Sequence, residues 1–219
     1  MSDKVCDPSP AVLEEAVRLL TAGGLVAMPT ETVYGLAANA ADPTAVARLY
    51  AAKGRPRFNP LIAHVSDIDA AQRQGRFSAQ ARALAEHVWP GPLTLVVNLA
   101  ETATVCDLAR AGLSTLALRC PAHPVAKALL ERFDGPLVAP SANPSGQISP
   151  TSAVHVATDL SGKVDLILDG GQSAMGLEST IIDARGDVPV LLRPGSLPIN
   201  RIEAVWPGLI RVGALETQA

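Results

Sequence analysis

The amino-acid sequence predicts an α/β protein whose sheet mixes parallel and antiparallel strands and is flanked by helices. Helical segments alternate with short apolar strands along most of the chain, the order typical of α/β proteins. Near the end, the strands Thr180–Asp183 and Val188–Leu192 flank Arg185-Gly-Asp187 as a hairpin, which adds antiparallel strands. With 219 residues, 48% of them hydrophobic, the chain can bury one continuous core. We therefore interpret residues 1–219 as a single domain with a core at about residues 10–200 and a short tail.

Helices are predicted where apolar residues recur at helical spacing between capping signals. Ser9-Pro10, Asp42-Pro43 and Ser149-Pro150 each place a capping side chain before a proline in the first turn, and Ser78 caps another helix. Glycine ends the first two helices, at Gly23-Gly24 and at Gly54, respectively. The predicted helices are residues 10–22, 43–53, 67–74, 79–88, 124–132, 150–160 and 198–205.

Strands are predicted from short apolar runs bounded by glycine, proline and other turn residues. The clearest is Leu93–Val97, which follows the turn Trp89-Pro-Gly-Pro92. A last short strand is expected within the final dozen residues. The other predicted strands are residues 25–28, 61–65, 115–119, 136–139, 164–169, 180–183 and 188–192.

Composition excludes several classes of protein. A net charge of −3 and a pI of about 5.8 argue against a surface that binds nucleic acid throughout, although a local basic groove is compatible with them. Aromatic residues, at 3%, are too few for base-stacking platforms. Cys6, Cys106 and Cys120 form no CxxC pair, which indicates neither a disulfide framework nor a zinc site. With no signal peptide or membrane span in the sequence, we predict a soluble cytoplasmic protein.

The familiar nucleotide-binding, nucleophile-elbow and zinc-protease motifs are missing from the sequence. Basic, hydroxyl and amide side chains instead follow the predicted strands, at the edge where open α/β sheets usually bind ligands. The segment from Lys53 to His64 contains three basic residues and no carboxylate, and prolines after Arg55 and Asn59 stiffen it. No carboxylate pair or activated nucleophile stands out. The sequence therefore predicts catalysis by holding anionic reactants and neutralising their charge.

Each of these side chains also has a purely structural interpretation. Lys53 and Arg57 could be the solvated end of a helix, interacting with its dipole. His64 lies within an apolar strand and could be a hydrogen-bonded core residue, while Thr32 and Ser179 could cap turns. An arginine at a strand end is often a surface residue. The functional interpretation depends on the recurrence of such groups at equivalent places.

Seven short motifs occur in order between about residues 25 and 197. Together they resemble the YrdC-like family of threonylcarbamoyl-AMP synthases, and the resemblance covers most of the chain. It implies a YrdC-like fold, a twisted mixed sheet around a basic concave groove. The motifs are Pro29-Thr-Glu-Thr-Val-Tyr-Gly-Leu36, Lys53-Gly-Arg-Pro-x-x-Asn-Pro-Leu-Ile-x-His64, Trp89-Pro-Gly-Pro-Leu-Thr94, Leu118-Arg-Cys-Pro121, Ala139-Pro-Ser-Ala-Asn143, Gly176-Leu-Glu-Ser-Thr-Ile181 and Leu192-Arg-Pro-Gly195.

The resemblance also implies a reaction. L-threonine, bicarbonate or carbon dioxide, and ATP would give L-threonylcarbamoyl-adenylate and pyrophosphate. The product would pass to the machinery that makes N6-threonylcarbamoyladenosine in transfer RNA. Mg²⁺ is expected with ATP, and because the sequence shows no carboxylate cluster, ATP and water would supply most of its ligands.

Roles for individual residues follow from the matched motif positions. Lys53 and Arg55 would act near the reacting carboxylate and phosphates. The threonine-binding positions are Thr32, His64, Arg119, Ser141 and Ser179, and the ATP-binding positions are Arg55, Asn59, Thr115, Asn143, Thr151 and Arg193. Longer family members continue through a linker into a second domain. Since this sequence stops at Ala219, we expect the single-domain form, with a more open site.

Two other functions remain open at this point. The same groove could serve a transfer-RNA-binding, double-stranded-RNA-binding or ribosome-maturation protein, although acidic net charge and scarce aromatics disfavour it. A direct but weak contact with transfer RNA is compatible with either function. The chain could also be a carbamoyl-transfer module like that of hydrogenase maturation proteins, which would require acylphosphatase and zinc-finger parts that this sequence lacks.

Overall fold

The computed structural model describes residues 5–211, and all elements below belong to that range. The helices are α1 Pro10–Thr21, α2 Pro43–Lys53, α3 Ile68–Gln74, α4 Ala79–Val88, α5 Pro124–Phe133, α6 Ala153–Asp159 and α7 Ile199–Glu203. The strands are β1 Val5–Cys6, β2 Val26–Met28, β3 Gly35–Asn39, β4 Ile62–His64, β5 Gly75–Arg76, β6 Leu93–Leu99, β7 Thr115–Arg119, β8 Leu137–Val138, β9 Leu166–Leu168, β10 Thr180–Asp183, β11 Val190–Arg193 and β12 Ile210–Arg211.

The strands form one mixed sheet in the order β1-β9-β2-β3-β8-β4-β7-β6-β10-β11-β12, with β5 paired to β6. Pairing is parallel between β1 and β9, β2 and β9, β4 and β7, β6 and β10, and β11 and β12, and antiparallel elsewhere. The predicted C-terminal hairpin is β10 and β11. The mixed α/β fold class predicted from the sequence is thus confirmed.

The predicted caps explain where α1, α2 and α4 begin and where α2 ends. Ser9, Asp42 and Ser78 each accept a hydrogen bond from a backbone N–H in the first turn of α1, α2 and α4, respectively. Gly54 ends α2 with a φ of 60°, a left-handed conformation that glycine adopts without a Cβ clash. The basic segment that follows therefore leaves the helix at a defined angle.

One predicted helix start was wrong. The helix expected from Pro150 begins at Ala153, because Ser152 rather than Ser149 is its N-cap. The Ser149 hydroxyl instead donates a hydrogen bond to Glu178. The segment predicted as the first turn thus belongs to a loop that packs beside the site described below.

Strand β3 was not predicted, because its Gly-Leu-Ala-Ala-Asn sequence has low β propensity. Pairing with β2 and β8 on its two sides and burial of its first four residues stabilise it nonetheless. Consequently Pro29–Tyr34 is the loop of a β2–β3 hairpin and not a connection from a strand to a helix. The short strands β1 and β5 were also missed.

Helices cover the two faces of the sheet unequally. On β3, Leu36 and Ala38 pack into one apolar cluster and Ala37 into another, as expected for side chains alternating along a strand. The larger cluster includes residues of α2, α3, α4 and α6, and the smaller one includes residues of α1 and α5. The smaller cluster ends near β8, so the same face of β4, β7, β6 and β10 is left partly open.

No helix within residues 5–211 is both long and apolar enough to cross a membrane. The predicted C-terminal strand is present as β12, which pairs with β11. The predicted tail beyond it lies outside the described residues.

Candidate active site

A cavity of about 330 Å³ lies on this partly open face. Because neighbouring strands run in both directions, its polar side chains come from the carboxyl ends of β4, β7 and β11 and from the residue just before β10. Loops that follow β2, α2 and β8 complete the wall, and apolar side chains of the strands form the floor. The floor includes Ile62, Val96, Ala117 and Ile181.

The structure brings together most of the residues singled out from the sequence. The cavity is lined by Thr32, Arg55, His64, Arg119, Ser141, Ser179 and Arg193. They belong to six of the seven sequence motifs, which lie far apart in the chain. The remaining predicted site residues, Lys53, Asn59, Thr115, Asn143 and Thr151, do not line this cavity.

Three arginines share the cavity. Burial lowers the pKa of Arg193, and the positive charges of Arg119 and Arg55 lower it further, against an opposing effect of Glu178. Burial also lowers the pKa of Arg55. Since guanidinium groups stay protonated in proteins, the effect of Arg119 and Arg55 on the pKa of Arg193 indicates that fixed positive charges repel one another across the cavity. Such a cavity favours an anionic ligand that relieves the repulsion.

Arg119 is held by a residue that the sequence analysis did not select. Its Nη2 donates to Glu31 Oε1 at 2.7 Å, and its Nε donates to the carbonyl oxygen of Gly91 at 3.4 Å. The second carboxylate oxygen of Glu31 accepts a hydrogen bond from the Ala122 N–H at 3.1 Å. The sequence signal for Glu31 was its place inside the first motif, between two threonines.

Arg193 is fixed to Ser179, the residue just before the neighbouring strand β10. Its Nη2 donates to the Ser179 carbonyl oxygen at 2.7 Å and lies 3.2 Å from Ser179 Oγ. Ser179 Oγ is in turn 2.7 Å from the hydroxyl of Thr94, which is fully buried on β6. This chain of contacts sets the direction of the Arg193 guanidinium before any ligand binds.

His64 contributes a neutral ring. Burial, and next the charge of Arg119, lowers its pKa to about 3. Nδ1 lies 3.3 Å from the carbonyl oxygen of Ile62, and a neutral ring that donates from Nδ1 keeps Nε2 as an acceptor. His64 therefore offers a hydrogen-bond acceptor, and not a positive charge, to a ligand.

Thr32 offers an acceptor as well. The hydroxyl of Thr30 donates to the carbonyl oxygen of Val33 at 2.6 Å, which uses its single proton. The 2.8 Å contact between the Thr30 and Thr32 hydroxyls must then be donated by Thr32. Thr32 lines the cavity with none of its surface exposed, and its remaining lone pairs are the acceptors left for a ligand.

Lys53 lies behind the cavity and not in its wall. It is 3% exposed, and its Nζ donates to the carbonyl oxygens of Ser141 and Asn143. Burial, and next the charge of Arg55, lowers the pKa of Lys53 to about 8. Through these two hydrogen bonds, Lys53 holds in place the loop that carries Ser141 into the cavity.

The other predicted ATP-binding residues surround the cavity. Asn59 accepts hydrogen bonds at its carbonyl oxygen from the hydroxyl of Tyr50 and from Arg55 Nε, so it positions Arg55. Thr115 precedes Ala117 by two residues and faces the same side of β7, beyond the cavity floor.

Asn143 and Thr151 lie on the loop between β8 and α6. The Asn143 side chain donates to the carbonyl oxygens of Pro144 and Gln147, and its Oδ1 is buried without a partner among the described residues. The carbonyl oxygen of Thr151 accepts a hydrogen bond from the Ser173 N–H at 2.8 Å. These contacts place both residues in the loop structure beside the cavity.

Carboxylates are sparse at the site. Burial raises the pKa of Glu178, but hydrogen bonds from Ser149 and its own backbone, with the charge of Arg193, outweigh it and leave the pKa below its usual value. Within residues 5–211, no three His, Cys, Asp or Glu side chains are grouped so that they could hold a metal ion.

Gly195 supports Ser179 by close backbone contact. A Cβ at this position would lie 2.4 Å from the Glu178 carbonyl oxygen and 2.5 Å from the Ser179 carbonyl carbon. Gly195→Ala is therefore expected to push Ser179 away from Arg193 and to lower the free energy of unfolding by about 1–3 kcal/mol, as other overpacking substitutions do. Chemical denaturation would measure the change.

Gly186→Ala, on the β10–β11 hairpin, is the matched control, because a Cβ there has only an ordinary contact at 3.8 Å. Equal stability of the two variants would contradict the proposed packing role of Gly195.

Comparison with known proteins decides the family. The Sua5/YciO/YrdC family model, described as telomere recombination, matches residues 18–195. The chain belongs to the Sua5/YciO/YrdC family. The resemblance drawn from the seven motifs is therefore confirmed, and the site described above is the site of a Sua5/YciO/YrdC protein.

Curated relatives of this chain carry the name threonylcarbamoyl-AMP synthase. The Pyrococcus abyssi protein is 50% identical over 198 residues, which are 90% of this chain and 57% of the relative. The Bacillus subtilis protein is 45% identical over 206 residues, 94% of this chain and 59% of the relative. The chain thus spans less than two thirds of the length of these relatives.

Solved structures agree with the family assignment. The structure of P. abyssi Sua5 complexed with L-threonine matches 99% of this chain and 64% of that chain, with a TM-score of 0.92 and 44% identity. Escherichia coli YciO covers 92% of this chain and all of its own, with a TM-score of 0.81, but at 24% identity it supports the fold alone.

Proposed function

We propose that this chain catalyses formation of L-threonylcarbamoyl-adenylate and pyrophosphate from L-threonine, bicarbonate or carbon dioxide, and MgATP. The observation that carries the proposal is the convergence of Arg55, Arg119 and Arg193 on one cavity that also contains His64 and Thr32 as neutral acceptors. The names of the P. abyssi and B. subtilis relatives, and the threonine complex of P. abyssi Sua5, support it.

The amino acid fits the side of the cavity formed by β4 and β7. Arg119 has donors left for a carboxylate, and a bidentate guanidinium–carboxylate pair would fix the orientation of threonine. The acceptors of Thr32 and His64 suit its nitrogen, which must lose a proton before it can attack carbon dioxide. That attack would form a carbamate through a new N–C bond as one C=O π bond of carbon dioxide opens onto oxygen, and the protons released from nitrogen would pass to water.

The nucleotide fits the side that carries Arg55 and Arg193. A carbamate oxygen would attack the α-phosphorus. The bond between that phosphorus and the α,β-bridging oxygen would break as pyrophosphate leaves. Negative charge develops on the non-bridging and leaving oxygens, where fixed guanidinium groups stabilise the transition state. This chemistry requires no covalent intermediate with the protein, in line with the lack of an activated nucleophile in the sequence motifs.

Magnesium would enter as part of MgATP. Glu178 is hydrogen-bonded to Ser149, and Glu31 is paired with Arg119. These two carboxylates near the cavity are thus engaged with protein groups, and phosphate and water oxygens would supply most of the Mg²⁺ ligands. The product would serve as donor for transfer-RNA modification in the cytoplasm, handed on to the transfer machinery.

Pyrophosphate release by the purified chain tests the proposal. With bicarbonate and MgATP present, release should depend on L-threonine, and a labelled threonine should appear in an adenylate that chromatography resolves. Omitting threonine or bicarbonate should each reduce release to background. A rate that is the same with and without threonine would contradict the proposed function.

A further inference from the structure

We infer that Glu31 is a positioning residue that orients Arg119 for recognition of the amino-acid carboxylate. The inference rests on the proposed threonine-binding function and adds a residue to it. Glu31 lies between the two threonines of the β2–β3 loop, and its side chain meets Arg119 at the end of β7.

The pair is buried and anchored at both carboxylate oxygens. The exposed fractions of the Arg119 and Glu31 side chains are 5% and 11%, respectively. One oxygen accepts from Arg119 Nη2 at 2.7 Å and the other from the Ala122 N–H at 3.1 Å. The backbone of Glu31 is held too, since its carbonyl oxygen accepts the Met175 N–H at 2.9 Å. Glu31 therefore has little freedom to turn away from Arg119.

The contacts leave a defined part of the guanidinium for a ligand. Arg119 has five N–H donors, and one Nη2 donor and the Nε donor are used by Glu31 and Gly91. Within residues 5–211, the two Nη1 donors and the second Nη2 donor remain for a substrate carboxylate. Glu31 thus fixes one edge of the guanidinium while the opposite edge meets the amino acid.

Charge gives Glu31 a second effect on Arg119. Without Glu31, the buried guanidinium would lose its paired carboxylate while the cavity is empty, beside Arg55 and Arg193. The neighbouring His64 ring cannot replace it, because that ring carries no negative charge. We expect Arg119 then to turn toward another acceptor, and threonine would have to reorient it on binding.

Ligand-observed NMR titration, without ATP, separates positioning from general structure. Wild type and Glu31→Gln are each titrated with L-threonine and with L-threoninamide, which lacks the carboxylate. The glutamine amide places a donor against either Ala122 N–H or Arg119, so one anchor is lost. We expect the Kd for threonine to rise about tenfold or more, as for one lost charge-assisted contact, and the Kd for threoninamide to stay within about twofold.

Glu31→Asp keeps the charge but is one methylene shorter, so it cannot span both anchors, and it should also weaken threonine binding selectively. If Glu31→Gln fails to fold, Glu31→Asp still tests the positioning role of Glu31. Glu86→Gln is the matched control, because Glu86 forms an exposed pair with Arg82. It should bind both ligands as wild type does.

The outcomes distinguish the two proposals. Failure of the wild-type chain to bind threonine would overturn the proposed function. If wild type binds threonine, then unchanged or tighter binding by both Glu31 variants overturns the positioning role. An equal loss for threonine and threoninamide also overturns it, since that result indicates general damage to the site.

Discussion

Replacing Arg119 with alanine is expected to raise the KM for threonine by about 30- to 150-fold and to leave the KM for ATP within about threefold. Loss of a charge-assisted, bidentate contact corresponds to about 2–3 kcal/mol, which gives this range. Arg119 lies at the end of β7 beside His64, on the side of the cavity assigned to the amino acid. Steady-state pyrophosphate release at varied threonine and at varied ATP measures both constants.

Arg193→Ala supplies the comparison. Arg193 lies on β11, across the cavity floor from Arg119, and its removal should raise the KM for ATP more than that for threonine. Equal effects of both substitutions on both substrates would contradict the division of the cavity into an amino-acid side and a nucleotide side.

The Arg119 variant needs one more control, because it leaves Glu31 buried without its cationic partner. The double variant Arg119→Ala/Glu31→Ala removes that unpaired charge. It should regain thermal stability while the KM for threonine stays high. Recovery of the threonine KM in the double variant would mean that the unpaired carboxylate, and not the missing guanidinium, had weakened binding.

Lys53 is expected to make stability depend strongly on pH. Its pKa is about 8 in the folded chain, whereas the ordinary value for a solvated lysine, which applies to the unfolded chain, is 10.5. Between these values the unfolded state binds more protons, so raising the pH stabilises the fold. The free energy of unfolding of wild type, relative to Lys53→Met, should therefore increase by roughly 3 kcal/mol from pH 7 to 10.5.

Urea denaturation of both proteins across this pH range measures the difference. Subtracting the free energy of unfolding of Lys53→Met from that of wild type cancels the contribution of groups that titrate in both proteins. Tyr34 and Cys120 are such groups, and burial raises their pKa values to about 12. Lys127→Met is the matched control, because Lys127 is half exposed and pairs with Glu131 at 3.8 Å. A constant difference between wild type and Lys53→Met would contradict the burial of Lys53 in the folded state.

Local signals in the sequence were sufficient to predict most of the helices and strands of the fold. Capping residues beside prolines located α1 and α2, since a cap and a first-turn proline act within a few residues. The same signal predicted a wrong helix start at Ser149, because the Ser149 hydroxyl donates a hydrogen bond to Glu178 in another part of the chain. Strand β3 was missed for a similar reason, because pairing with its neighbours outweighs weak intrinsic propensity.

For the site, too, local sequence signals predicted some features, and contacts between distant segments determined the others. Motifs located the arginines, since their spacing beside strand ends and prolines is visible in the chain. They did not show that Lys53 lies behind the cavity, fastening Ser141 and Asn143, or that Glu31 pairs with Arg119. Both facts depend on contacts between segments about ninety residues apart, which only the folded chain brings together.

A crystal structure of this chain with L-threonine and a non-hydrolysable ATP analogue tests the central claim most directly, namely that one cavity holds both reactants between fixed cations. We expect the threonine carboxylate within hydrogen-bonding distance of Arg119, and phosphate oxygens within about 3 Å of Arg55 and Arg193. Either ligand bound outside this cavity, or arginines directed away from both ligands, would contradict the account.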